Sequence, residues 1–355
     1  MNKVKPILEV HSKKALTSAN ITFLLRRIRS SVAKKDIEKQ IQTTHPIGKS
    51  DDPALRALSR LDVRNARTLC ETSERRKKIK SIKEITSMCT SFAVHLDKTF
   101  IGMNFDISRR PIKIILLGED QLLVLQNDGG QFYPAFGLNS SGTFMNLLMV
   151  DPIEEVNYRR GKNCVHIMML FDELLSGRIK LSGLKDYLDN NAIVNVPNHS
   201  VHSMIAGKNR ETYIVEPGRN NLNINSSNRD FMVLTNFPLS DNIDNDYRNV
   251  KGPGNDRYIK AYESITNGKE IFNIATGFNL LKETVQQSGD YPTQLSMIFT
   301  PEESKVYFTL NGYFTKVFEF SFITNQVQSL EGFISNNSLM LSKKGVLLSE
   351  LEGWE

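Results

Sequence analysis

The sequence predicts an α+β protein of stacked antiparallel sheets with helices on the outside. The candidate elements run as strands, helices, strands, helices, strands, without the strict βα alternation of a doubly wound parallel sheet. Most neighbouring strand candidates are joined by short turns, which antiparallel pairs allow and parallel pairs do not. The chain has 355 residues, 40% hydrophobic and 24% charged, enough for a large core and ordinary for a globular protein. No apolar run approaches the roughly 18 residues of a membrane span.

The pattern becomes regular at Cys89. Phe92, Val94 and Leu96 fall on one face of a strand, and Ser91, Ala93 and His95 on the other. A turn at Asp97-Lys98 leads to a second run, Thr99 to Asp106, completing a hairpin. Ile112 to Gly118 and Leu122 to Gln126 read as two more strands, followed by the turn signal Asn127-Asp128-Gly129-Gly130. Phe136 to Gly142 leads into Thr143 to Val150, a largely apolar strand. Val165 to Gly177 has helical spacing and ends at glycine; Lys180 to Leu188 is a second helix. Val201 to Gly207 and Thr212 to Glu216 form a hairpin about Lys208-Asn209-Arg210. Phe231 to Pro238 is a strand with polar residues at its end, and Leu239 to Gly254 a long polar loop of the kind that borders sites. Asn255 is the expected cap of a helix through Asn267 that Gly268 ends, and Lys269 to Thr284 is again helical. Gln294 to Thr300, Lys305 to Leu310 and Phe314 to Ile323 are closing strands.

Residues 1–88 differ from this body. They hold 21 Lys+Arg against 9 Asp+Glu, so of the chain's 45 and 39 the remainder holds 24 and 30; a head of +12 precedes a body of −6. Phe23 is their only aromatic residue, and Ile21 to Ile41 and Pro53 to Leu69 are weak helices around a linker, residues 43–50. The short run Ile21 to Leu25 meets Arg26-Arg27-Ile28-Arg29 at once, which is no signal-peptide layout. No nucleic-acid motif or aromatic interleaving accompanies the charge, so no nucleic-acid partner is expected. Three readings compete: a pro-piece removed to expose Cys89, a basic accessory region, or a mis-assigned start with translation beginning at Met88. The third is favoured because Lys83-Glu84 can be encoded AAG GAG, a bacterial ribosome-binding sequence, three codons before Met88. Three cysteines, Cys70, Cys89 and Cys164, suggest a reducing compartment, and cytoplasm is the default.

The chemistry centres on Cys89. A cysteine at a chain terminus is a complete catalyst: the thiol is the nucleophile, and the α-amino group, with a pKa near about 7.7–8.0, is a base beside it. Neither a CxxC pair nor an HExxH, GxGxxG or P-loop motif is present, so no cofactor is expected. His199 and His202, at i and i+3, point to opposite faces of a strand, and Cys164 and His166 read as packing rather than ligands.

Five landmarks in order resemble one family: Met88-Cys89-Thr90, Gly102-x-Asn104-x-Asp106, Gly137-Leu138-Asn139-x-x-Gly142, Thr235-Asn236-x-Pro238 and Asp256-Arg257-Tyr258. They resemble the choloylglycine hydrolase and penicillin V acylase type of N-terminal-nucleophile amidases, the linear amide C–N hydrolases. The resemblance runs from Met88 nearly to the C-terminus. It implies a four-layer αββα fold over residues 89–355 and a cysteine amidohydrolase that cleaves a linear, non-peptide amide of a small molecule. Cys89 would attack the carbonyl, Asp106 would hold its amino group, Asn236 with a backbone N–H would bind the oxyanion, and Arg257 would stabilise charge near the nucleophile. Taken singly, Asp106 reads as a turn carboxylate, Asn236 as a strand-end cap and Arg257 as a helix-surface charge. The chain departs from the family at Met103, where an arginine is usual, at Met149, where an asparagine is usual, and at Gly207, often aspartate. Without that arginine the expected substrate is an uncharged, acyl-bearing amide. An acyltransferase of the same fold, a catalytically silent binding protein, and a homo-oligomer of any of these stay open.

Overall fold

The computed structural model describes residues 89–151, 161–195, 199–219, 222–225, 230–242 and 245–355. The readings made for residues 1–88 lie outside the described residues.

The first hairpin forms as the alternation predicts, from β1 (Thr90–His95) and β2 (Thr99–Asp106). Every residue of both strands is buried, so the hairpin is covered on both faces. The next strands are β3 (Ile112–Leu117), β4 (Gln121–Asp128), β5 (Gln131–Asn139), β6 (Thr143–Asn146) and β7 (Leu148–Met149). Two differences from the sequence reading meet here. The first half of β5 is an addition to the expected strands and holds Pro134; the β4–β5 register slips between Val124 and Leu125, and a bulge is where a sheet tolerates proline. The run Thr143 to Val150 is two strands, broken at Leu147, whose N–H turns to the carbonyl of Ala135 beside that bulge.

A short strand β8 (Cys164–His166) leads into α1 (Ile167–Leu175), and His166 caps that helix by accepting from the Met169 N–H. After a 3-10 turn come α2 (Leu184–Asn190) and β9 (Ala192–Val194), the latter parallel to β8. Then follow β10 (Val201–Gly207), β11 (Glu211–Val215), β12 (Leu222–Asn225) and β13 (Phe231–Leu234).

The helix expected from Asn255 is α3 (Asn255–Gly268), but its cap is Gly254, in the left-handed region at φ 78°. The stretch from Lys269 is not one helix: a 3-10 turn, Lys269–Ile271, breaks at Phe272, and α4 (Ile274–Glu283) starts afresh from a capping box on Asn273. The chain closes with β14 (Thr293–Thr300), β15 (Lys305–Leu310), β16 (Tyr313–Ser321), β17 (Gln326–Glu331), β18 (Ser338–Met340), β19 (Val346–Leu347) and α5 (Leu348–Glu352). The last four had no clear sequence signal, being short or partly exposed.

One sheet has the order β13-β1-β2-β14-β15-β16-β17-β18, and the other β12-β11-β10-β6-β5-β4-β3-β19 with β7 beside β10; all their pairings are antiparallel. The sheets face each other across Phe105 and Phe136, ring centroids 5.7 Å apart, and across Ser91 and Met204. On the outer face of the first sheet Phe272, between α3 and α4, meets Phe92 edge-on at 5.8 Å. On the outer face of the second, Phe171 and Leu175 of α1 press on Gly137, where any Cβ would lie 2.5 Å from Leu175. The result is the expected four-layer αββα sandwich. Among the described residues no helix is long and apolar enough to cross a membrane.

Candidate active site

Cys89 directly precedes β1, a strand inside the first sheet that is paired on both sides, with β2 and with β13. The same pairing brings together the ends of three segments. Asp106 is the last residue of β2, Asn236 follows β13 by two residues, and Arg257 lies in the first turn of α3, which packs on β1 and β13. All four predicted residues are buried.

They converge on the Arg257 guanidinium. Its Nη1 donates to the Cys89 carbonyl and to Thr90 Oγ1 at 2.9 Å, and stands 3.8 Å from Asp106 Oδ2; its Nη2 donates to Asn236 Oδ1 at 3.1 Å. The other end of the Asn236 amide, Nδ2, donates to the Met149 carbonyl at 2.8 Å. An amide NH₂ has two protons to give, so one remains beyond that bond. At Met149, then, the backbone engages the site and the side chain does not supply the amide.

Asp106 is held from the neighbouring strand β14 and the segment that leads into it. Thr293 Oγ1 donates to Oδ1 at 2.5 Å and Gln286 Nε2 to Oδ2 at 2.7 Å. Burial pushes its carboxyl above the usual carboxylate range, while Arg257, Thr293 and Gln286 act in the opposite direction. The Cys89 thiol donates to the Asp106 main-chain carbonyl at 3.8 Å. Burial, and then the Asp106 charge, push that thiol up to about 12, with Arg257 countering only in part. Cys89 itself lies at φ 52°, a left-handed conformation that costs a non-glycine residue about 1–2 kcal/mol. A cavity of about 190 Å³ opens against Arg257, Gly254 and Gln286; Cys89 does not line it.

The landmark glycines have packing reasons. A Cβ on Gly102 would sit 2.1 Å from the Phe92 ring, which lies across the strand pair. A Cβ on Gly254 would sit 2.5 Å from Arg257 Nη2, so the cap residue also makes room for the guanidinium. Asn104 ties the hairpin to α4, donating to the Leu281 carbonyl at 2.8 Å and to Thr284 Oγ1 at 3.1 Å. Asn139 ties the second sheet to α1 through the Leu175 carbonyl at 3.0 Å. Gly207 lies against Leu181, and Met103 is fully buried in the core between the sheets.

Sequence reasoning missed Thr90, Gln286 and Thr293. Thr90 had a signal, its place directly after the cysteine. Gln286 and Thr293 had none, since nothing local ties them to an aspartate some 180 residues earlier.

No family model and no curated protein matches the chain. Solved structures do. A mutant of conjugated bile acid hydrolase from Clostridium perfringens is similar over 72% of this chain and 98% of its own, at TM-score 0.50 and 17% identity. Penicillin V acylase from Agrobacterium tumefaciens is similar over 72% of this chain and 96% of its own, at TM-score 0.50 and 14% identity. The fold is the N-terminal-nucleophile hydrolase sandwich. At these identities the likeness concerns architecture: two antiparallel sheets face to face between helices, the arrangement in which Cys89 precedes an inner strand beside Arg257.

Proposed function

We propose that the protein is an amidohydrolase that cleaves a linear, non-peptide amide C–N bond with Cys89 as nucleophile. The observation that carries this reading is the convergence of Cys89, Asp106 and Asn236 on one buried guanidinium, that of Arg257. The donors of this guanidinium gather a thiol-bearing residue, a carboxylate and a side-chain amide from three separate segments.

The chemistry requires Cys89 to be the first residue, since within the chain its nitrogen is a peptide amide and no base. Freed, the α-amino group takes the thiol proton, and the sulfur attacks the substrate carbonyl carbon. The carbonyl π pair moves to oxygen, where the free N–H of Asn236 and a backbone N–H receive it; a donor of this kind is worth about 2.7–4 kcal/mol. The tetrahedral species collapses, the C–N bond breaks, and the leaving amine takes the proton back from the α-ammonium. Water then attacks the thioester, giving a proton to the amine and, on collapse, regenerating the thiol and releasing the acid. Asp106 holds the ammonium through this cycle, and Arg257 offsets the developing negative charge.

Two further facts support the reading. The fold neighbours are named for hydrolysis of conjugated bile acids and for acylase action on penicillin V. Met103, apolar where a cation is usual in the family, favours an uncharged acyl-bearing amide over an anionic one. The test is to express the protein from Met88, confirm by mass that Cys89 is residue one, and compare Cys89→Ser with the unsubstituted protein on a panel of acyl amides. Turnover lost in Cys89→Ser is expected; equal turnover ends the proposal.

A further inference from the structure

A second buried polar group lies outside this mechanism. His202 on β10 and Glu216, the residue after β11, are both almost wholly inaccessible. His202 Nδ1 is 2.9 Å from Glu216 Oε1, and its Nε2 is 2.7 Å from the Thr235 carbonyl oxygen. A carbonyl only accepts, so Nε2 carries a proton. Glu216 accepts from the Leu239 N–H at 2.8 Å, the Ser240 N–H at 3.0 Å and the Ser240 hydroxyl at 2.5 Å, the pattern of an ionised carboxylate. Burial alone would raise its carboxyl, but His202 and Ser240 outweigh burial and bring it down to about 2.

What the pair grips is backbone. His202 holds the carbonyl of Thr235, and Glu216 holds the N–H groups of Leu239 and Ser240, so the segment from Thr235 to Ser240 is pinned at both ends. Asn236 is the residue whose N–H follows the gripped Thr235 carbonyl in the same peptide unit. Its side chain meets the site from the other direction, through Met149 and Arg257. A buried polar pair of this kind adds little stability over apolar residues of the same shape. The consequence of this one is geometric.

We propose that His202 and Glu216 are positioning residues for Asn236, fixing the Thr235–Ser240 backbone so that the Asn236 amide is held where an oxyanion develops. The role rests on the amidohydrolase reading, and its test has one arm that does not. In the full chain labelled with nitrogen-15, Glu216→Gln is expected to move the Asn236 side-chain NH₂ signals while signals of β14 to β16 stay in place. Unmoved Asn236 signals overturn the proposal.

The second arm uses dodecanoyl p-nitroanilide as probe and the active form purified from cells expressing the full chain. Glu216→Gln is expected to lower kcat by about 10-fold or more, since small misplacements in a site are costly, with KM within about twofold. In an Asn236→Ala background the same substitution is expected to have no further effect, and Glu216→Asp to restore part of the loss. An equal loss in both backgrounds makes the pair merely structural and overturns the proposal. If Glu216→Gln does not fold, Ser240→Ala removes one donor from the carboxylate and is read in the same way. Absence of turnover on any acyl amide counts against the amidohydrolase reading, and the spectral arm then decides the pair by itself.

Discussion

In the intact chain the Cys89 thiol should resist alkylation at neutral pH, and it should become reactive once Cys89 is the first residue. The perturbation is cleavage or omission of everything before Cys89. The magnitude follows from the surroundings of the sulfur. Its thiol is buried beside the Asp106 charge and sits at about 12 rather than the ordinary 9.0, with Arg257 countering only in part. At pH 7 a thiol of ordinary pKa is about 1% thiolate and one at about 12 is about 0.001% thiolate, so alkylation slows by about 1,000-fold before any steric effect. A free α-ammonium placed beside the sulfur reverses the sign of the local field and stabilises the thiolate. The assay is iodoacetamide labelling read by peptide mass spectrometry, with the half-exposed Cys164 as internal reference in the same sample. The labelling rate of Cys89 in the intact chain should also climb about tenfold per pH unit through the alkaline range. Labelling of Cys89 at pH 7 as fast as Cys164 in the intact chain would refute the reasoning.

Asp106→Asn removes the carboxylate 3.8 Å from Arg257 and leaves a buried cation one partner short. A loss of about 3–5 kcal/mol in urea unfolding is expected, together with loss of amide turnover; unchanged stability would show that the other acceptors of Arg257 suffice. Gly254→Ala forces a Cβ into φ 78° and to 2.5 Å from the guanidinium. The left-handed penalty alone is about 1–2 kcal/mol, and a lowered Tm with reduced kcat is the expected outcome. His95 is buried between Thr99 and Thr212, and burial, then Arg210, hold it down at about 4 from its ordinary 6.5. The unfolded chain then binds the extra proton, so stability is full above pH 6.5 and falls as pH drops towards 4, by about 3 kcal/mol in total. Urea unfolding across that window should show the slope, and His95→Gln should flatten it.

The local chain determined a good deal. Alternation from Ser91 to Leu96 with a polar turn at Asp97-Lys98 left one economical structure, and the hairpin formed, its second strand with the expected ends and its first closing one residue early, at His95. Apolar spacing and a terminal glycine likewise marked α1. Where local chemistry was ambiguous, packing decided. Pro134 lies in β5 beside a bulge that accommodates it, and Asn255 was a sound cap candidate until Gly254, forced to yield space to Arg257, took that place.

Cys89 was recognisable as a candidate nucleophile from its place at the head of the hairpin and the landmarks that follow. The sequence also named Asp106, Asn236 and Arg257, though each alone had an ordinary surface or turn reading. Only the tertiary structure decided that they meet. Pairing β1 between β2 and β13, and laying α3 against that pair, brings residues up to 168 positions apart onto one guanidinium. Gln286, Thr293 and the His202–Glu216 pair belong wholly to that second category. A hydrogen bond that closes a long loop leaves no local pattern, because the entropy of closure is met by the whole fold and not by the residues that bond.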